Sequence, residues 1–235
     1  MFLDLSLLKK KPDTSREVIL QIDPLAPLSM VTHLPGSYYK TVKSPSKKML
    51  CGLFENILEW HIDIIDRKKI LKEIKKLRKK QGLAFPETDG STYQPLLMEY
   101  FAIQLEILPY QLHFDDYWSR SFRRTDADVH PKGTFNISYE IIAEKRELAR
   151  DEKRPGQVEN NALREFFKRR LDRYPFYYST PTKREFVSTT GNYRIKLLID
   201  PELHKNLEEQ LLKRNDAYLG TSEGWVDLKF IRHER

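Results

Sequence analysis

Apolar and polar positions along this chain alternate with two different periods, and the switches between them lay out its elements. Glu17-Val18-Ile19-Leu20-Gln21-Ile22-Asp23 reads as a strand, stopped by Pro24 and Pro27. Pro35-Gly36 is a turn dipeptide, and Ser37–Lys43 (SYYKTVK) is a second strand pattern that also carries positive charge. Ser44-Pro45-Ser46 opens a helix predicted over Lys47–Asp66. A second helix follows, continuous or kinked, with Ile70, Leu71, Ile74 and Leu77 on one face and nine Lys or Arg over the rest. Gln81-Gly82 stops it.

From Leu83 to Gly133 the periodicity is lost, interrupted by Pro86, Pro95, Pro109 and Pro131, and the stretch reads as an insertion projecting from the core. Strand signals return at Thr134–Ile142. A basic helix is predicted over Asn160–Arg173, and strands over Phe176–Tyr178, Glu185–Thr189 and Tyr193–Ile199. Asp200-Pro201 opens a helix over Glu202–Arg214, and Trp225–Ile231 is the last strand. The order of elements predicts an α+β fold, a ferredoxin-like sheet with an embellished second half. The expected organisation is a first part of the fold over residues 1–82, an inserted thumb over 83–133, and a β-rich remainder over 134–235.

Composition adds a partner class. The 235 residues carry 41 Lys and Arg against 34 Asp and Glu, a net charge of +7 that points to a polyanion, most directly nucleic acid. Cys51 is the single cysteine, placed on the apolar side of a helix as a buried small hydrophobe, so no internal disulfide is possible. That fits a reducing cytoplasm. No apolar run reaches 18 residues, so neither a membrane span nor secretion is expected.

Three places offer nucleic-acid chemistry. Tyr38, Tyr39, Lys40 and Lys43 lead into Ser44 and the first turn of a helix, where Lys47 and Lys48 stand beside unpaired N–H groups suited to a phosphate. Gly52, inside that helix, implies a close neighbour, because glycine there costs about 1 kcal/mol relative to alanine. Arg169 and Arg170, with Phe166 and Phe167, combine guanidinium and aromatic groups as single-stranded RNA requires, and Arg184 adds a further cation. The loop from Tyr218 to Trp225 brings Gly220, Thr221 and Ser222, whose backbone can approach a phosphate or pack in a tight turn. The helix from Arg67 to Lys80 is the densest basic element and reads as a solvated amphipathic face ahead of a specific site.

Catalytic signals are sparse. Six histidines are scattered, and His61-x-Asp63 and His113-x-Asp115-Asp116 read as surface polarity rather than as metal sites. No Walker loop, dinucleotide fingerprint or Cys-x-x-Cys occurs, so no cofactor is expected. His130-Pro131-Lys132 is the one pattern suited to metal-independent RNA cleavage, with His130 as base and Lys132 stabilising the transition-state phosphate.

Taken together, Asp23–Ser29 (DPLAPLS) leading to Ser44-Pro45-Ser46 and Gly52–Ile57 (GLFENI), Arg194–Leu212 (RIKLLIDPELHKNLEEQLL), and Tyr218-Leu219-Gly220-Thr221-Ser222 resemble the Cas-five family of CRISPR-associated RAMP proteins. The resemblance covers both ends of the chain and leaves most of Leu83–Arg154 unmatched. It implies a ferredoxin-like (RRM-like) domain with a hairpin thumb, in antiviral defence. The implied role is to hold the 5′ handle of the crRNA and cap the Cas-seven filament in a type I Cascade complex, beside its large subunit. Members that also process the crRNA precursor carry a tyrosine where this chain has Leu58, and a Lys-His pair that this chain lacks. The leading expectation is therefore a non-catalytic RNA-binding subunit. The alternatives are a metal-independent endoribonuclease and a generic basic protein-interaction module.

Overall fold

The computed structural model describes residues 4–32, 38–86, 93–118 and 182–231, with isolated positions from 121 to 178. The strands are β1 (Arg16–Pro24), β2 (Tyr38–Tyr39), β3 (Phe101–Ile107), β4 (Tyr110–Trp118), β5 (Ser121–Phe122), β6 (Tyr177–Tyr178), β7 (Thr182–Thr190), β8 (Tyr193–Ile199), β9 (Asp216–Tyr218) and β10 (Trp225–Ile231). The helices are α1 (Lys47–Ile57), α2 (Ile64–Lys80) and α3 (Pro201–Leu211), preceded by a 3-10 turn at Ser6–Lys9. The chain divides into two compact units, Met1–Asp116 with Arg184–Arg235, and Tyr117–Lys183.

The first unit is built on a five-stranded sheet in the order β3-β8-β1-β10-β9. β1 lies inside it, antiparallel to β8 and β10, with Leu20 opposite both Ile195 and Phe230. Val18, Leu20 and Ile22 turn inward to meet Ile195, Leu197 and Ile199, and a slip of one residue would carry every one of them to the other face. Leu50, Leu53 and Phe54 of α1 and Leu203 and Leu207 of α3 complete the core. With α2, β9 and the strands outside the central sheet set aside, the order β1-α1-β3-β8-α3-β10, arranged in space as β3-β8-β1-β10, is the ferredoxin-like pattern. The fold is α+β, as the sequence predicts.

Between β3 and β8 the chain leaves this sheet and returns. After Leu108-Pro109 it continues as β4 and comes back as β7, neighbours in a three-stranded sheet ordered β2-β7-β4. Gly191, at φ +94°, makes the turn from β7 into β8. Phe101–Ile107, inside the stretch expected to project, is therefore an edge strand of the central sheet. In the second unit β5 pairs with β6, Ser121 opposite Tyr178.

The helix expected over Lys47–Asp66 is two helices. α1 ends at Ile57, Glu59 adopts φ +57°, and the Trp60 amide donates back to the Glu55 carbonyl at 2.8 Å, which tucks Trp60 into the core. Asp63 then caps α2 by accepting from the Ile65 amide at 2.7 Å. Among the described residues of the second predicted strand, Tyr38–Tyr39 lie in the ladder and Thr41 is bridged to Val31. The strand predicted over Thr134–Ile142 lies outside the described residues, as does most of the helix predicted over Asn160–Arg173.

Candidate nucleic-acid interface

Ser46 begins α1 as the sequence suggests, its Oγ accepting from the Met49 amide at 3.3 Å. The first turns of that helix floor a cleft of about 980 Å³ through Lys48, Met49, Gly52 and Asn56. Trp60, His61, Tyr93 and Tyr218 wall it, and Gly220 reaches its rim. A Cβ added at Gly52 would lie 3.7 Å from the Tyr93 hydroxyl, an ordinary contact. The close approach inferred from that glycine is thus absent, and a methyl group fits.

Behind the cleft stands a buried ion pair. Arg67 Nη1 donates to Glu55 Oε2 at 2.6 Å and to the Gln94 carbonyl at 3.1 Å, while the Leu96 amide donates to Glu55 Oε1 at 2.7 Å. The Arg67 guanidinium also lies 5.1 Å from the centre of the Tyr93 ring. Burial, reinforced by the Glu55 carboxylate, pushes the Tyr93 hydroxyl far above the usual tyrosine range, so it stays protonated. This pair joins α1, α2 and the segment entering β3, and it holds the aromatic wall in place. Sequence reasoning missed it because a helical arginine among lysines gives no local sign of facing inward.

The two lysines at the head of α1 separate. Lys48 faces the cleft, whereas the Lys47 ammonium sits 5.4 Å from the centre of the Phe101 ring, and burial lowers its pKa. Lys40 and Lys43 are exposed, and Ser44 is half-buried. The Lys43 carbonyl accepts from Gln111 Nε2 at 2.6 Å.

A second group of candidates converges across the small sheet. The Tyr38 hydroxyl donates to Asp115 at 2.8 Å, and that bond raises its pKa to about 12. Arg184 is buried with its guanidinium 5.0 Å from the centre of the Tyr39 ring, and burial lowers its pKa while the Glu223 carboxylate opposes the shift. Glu223 belongs to the loop from Tyr218 to Trp225, so Tyr39, Arg184 and that loop form one cluster. Gly220 has a structural reason there. At φ +78°, a Cβ on it would come within 2.5 Å of the Ser29 carbonyl oxygen. The Thr221 and Gly224 amides donate to the Leu219 and Thr221 carbonyls at 3.0 and 3.1 Å, so they stabilise the loop itself. Ser222 Oγ donates to Glu223 at 3.1 Å.

Beside this cluster, Glu185 accepts from the Thr41 amide at 2.9 Å and stands 3.0 Å from His113 Nδ1. A carboxylate that orients an imidazole is a general-base arrangement, and it joins residues 72 apart in the chain, which spacing could not reveal. His130, Lys132 and Arg170 lie outside the described residues, while Arg169 is exposed, 3.9 Å from Glu165. Among the described residues no group of three His, Cys, Asp or Glu stands where a metal would be held. No helix among them is long and apolar enough to cross a membrane.

No curated protein matches this chain. A chain in the cryo-EM structure of the type III-B Cmr-beta bound to cognate target RNA is 11% identical, with 92% of this chain and 97% of that one covered and a TM-score of 0.37. Another, from the type III-B Cmr-beta bound to cognate target RNA and AMPPnP in state 1, is 10% identical, with 92% and 64% covered and a TM-score of 0.35. The family model of CRISPR-associated protein Cas5p matches residues 3–230, almost the whole length. The chain belongs to that CRISPR-associated family.

Proposed function

We propose that this chain is a non-catalytic RNA-binding subunit that holds the 5′ handle of the crRNA. In this reading it caps the Cas-seven backbone of a type I Cascade complex, with the large subunit alongside. Family membership over residues 3–230 carries the reading. The cleft supports it: Tyr93 and Tyr218 offer faces to bases, and Lys48 offers a charge to phosphate. Tyr38, Tyr39, Lys40, Lys43, Ser44 and Arg184 extend the surface from the strand side, and the rim at Gly220–Ser222 closes it. Arg169 and Arg170 are assigned to RNA as further contacts. Leu105, Ile107, Tyr110 and Leu112 are more than half exposed around the β3–β4 connection, an apolar patch suited to neighbouring subunits.

The test is to incubate the purified chain with labelled crRNA precursor and EDTA, then run native and denaturing gels. Shifted, intact RNA that depends on the handle sequence supports the proposal. Cleavage without metal would replace it with the endoribonuclease, to be examined through His113→Ala and His130→Ala. RNA that neither shifts nor is cut would leave a protein-interaction module.

A further inference from the structure

α2 carries nine basic residues, and the structure sorts them by function. Arg67 and Arg78 are buried and bonded inside the unit. The only two carboxylates on the helix, Asp66 and Glu73, are taken by Lys69 and Lys76, each at 2.8 Å. Lys68, Lys72, Lys75, Lys79 and the terminal Lys80 remain, and the first four have no carboxylate within ion-pair distance among the described residues. The spacing of those four, by four, three and four, places them in one stripe along about 16 Å of helix, with neighbouring Cβ atoms about 5–6 Å apart. Together with Leu71, Lys76 and Gln94 they line a shallow groove of about 380 Å³ that shares no residue with the cleft. Lys75 is held there by the Phe85 ring, its ammonium 5.8 Å from the centroid.

Like charges at these spacings oppose helix formation, and Glu73 beside Lys72 and the Phe85 ring against Lys75 offset them only in part. A continuous polyanion would offset them along the whole stripe. We propose that Lys68, Lys72, Lys75 and Lys79 form a second, sequence-independent site that follows a phosphodiester backbone. The regular row favours a repeating phosphate over an acidic protein segment, because every lysine along it meets the same partner. The inference does not depend on the handle-binding reading.

The experiment compares the full chain with a Lys68→Gln, Lys72→Gln, Lys75→Gln, Lys79→Gln variant. A control variant carries glutamine at Lys196, Lys205, Lys213 and Lys229 and loses the same four charges. Binding is followed by fluorescence anisotropy over a salt series, with single-stranded RNA and duplex DNA that both lack repeat sequence, and each variant's melting temperature is recorded. The stripe variant is expected to keep its fold and to lower the slope of log affinity against log salt by about 3, since each phosphate contact contributes about 0.7–0.9. The control should shift the slope by less than about 1. Loss on RNA alone or on the duplex alone identifies which backbone the stripe follows. Unchanged slopes for both probes, or equal loss in the control, would overturn the proposal. Because neither probe contains a handle, handle selectivity stands or falls separately.

Discussion

Replacing Arg78 with Met separates the structural arginines of α2 from its surface lysines. Arg78 is fully buried, with Nε 2.8 Å from Glu99, Nη2 2.8 Å from the Tyr100 hydroxyl and Nη1 3.2 Å from Gln81. It also reaches the Leu8 carbonyl at 3.4 Å, so one guanidinium ties α2 to the N-terminal turn and to the entry of β3. The variant leaves Glu99 as a carboxylate only 9% exposed with its partner gone. Removing one member of a buried pair costs about 3–5 kcal/mol. For a chain of this length each kcal/mol moves the melting temperature by about 2–4 °C, so a fall of about 10 °C is expected. Arg78→Lys keeps the charge but not the planar fork, and should lose an intermediate amount. Thermal unfolding followed by circular dichroism measures both. RNA affinity and its salt slope, measured well below the transition, should stay at the wild-type values. A drop under about 2 °C, or a reduced salt slope with stability intact, would refute the assignment of Arg78 to the interior.

Further outcomes follow from the same geometry. Lys48→Gln should weaken RNA binding and lower the salt slope by about 0.7, while Lys47→Gln should leave the slope unchanged because that ammonium is spent on the Phe101 ring; a salt titration of both decides it. Gly220→Ala places a methyl against the Ser29 carbonyl at positive φ, costing at least about 1–2 kcal/mol, read from the melting temperature. His204 is buried against Phe230, and burial lowers its pKa, with Glu208 opposing and Arg16 adding to the shift. The unfolded chain therefore binds the extra proton first, so stability is fully present above the ordinary histidine value of about 6.5 and falls as the pH drops through it. Melting temperatures from pH 7.5 to 5 should decline in the wild type and decline less in His204→Phe. Cys51 is fully buried and burial raises its pKa, so a thiol reagent should label it only on unfolding.

What the sequence determined alone is local. Val18, Leu20 and Ile22, Tyr193–Ile199 and Trp225–Ile231 announce strands because their apolar positions recur every second residue. Asp200-Pro201 and Ser46 announce helix starts because capping needs only a side chain and the next three amides. Charge likewise named a polyanion without locating it. Tertiary structure decided everything that depends on a distant partner. Phe101–Ile107 is a central-sheet strand because β8, some 90 residues later, pairs with it. Lys47 and Lys48 are neighbours in sequence but point about 100° apart around a helix, so one meets Phe101 and the other the cleft. Arg67, Arg78 and Arg184 look like any other cations in the chain, and His113 like any other histidine, until Glu55, Glu99, Tyr39 and Glu185 are brought beside them. Periodicity reports which face of an element avoids water. Only the assembled sheet and helices determine what that face meets.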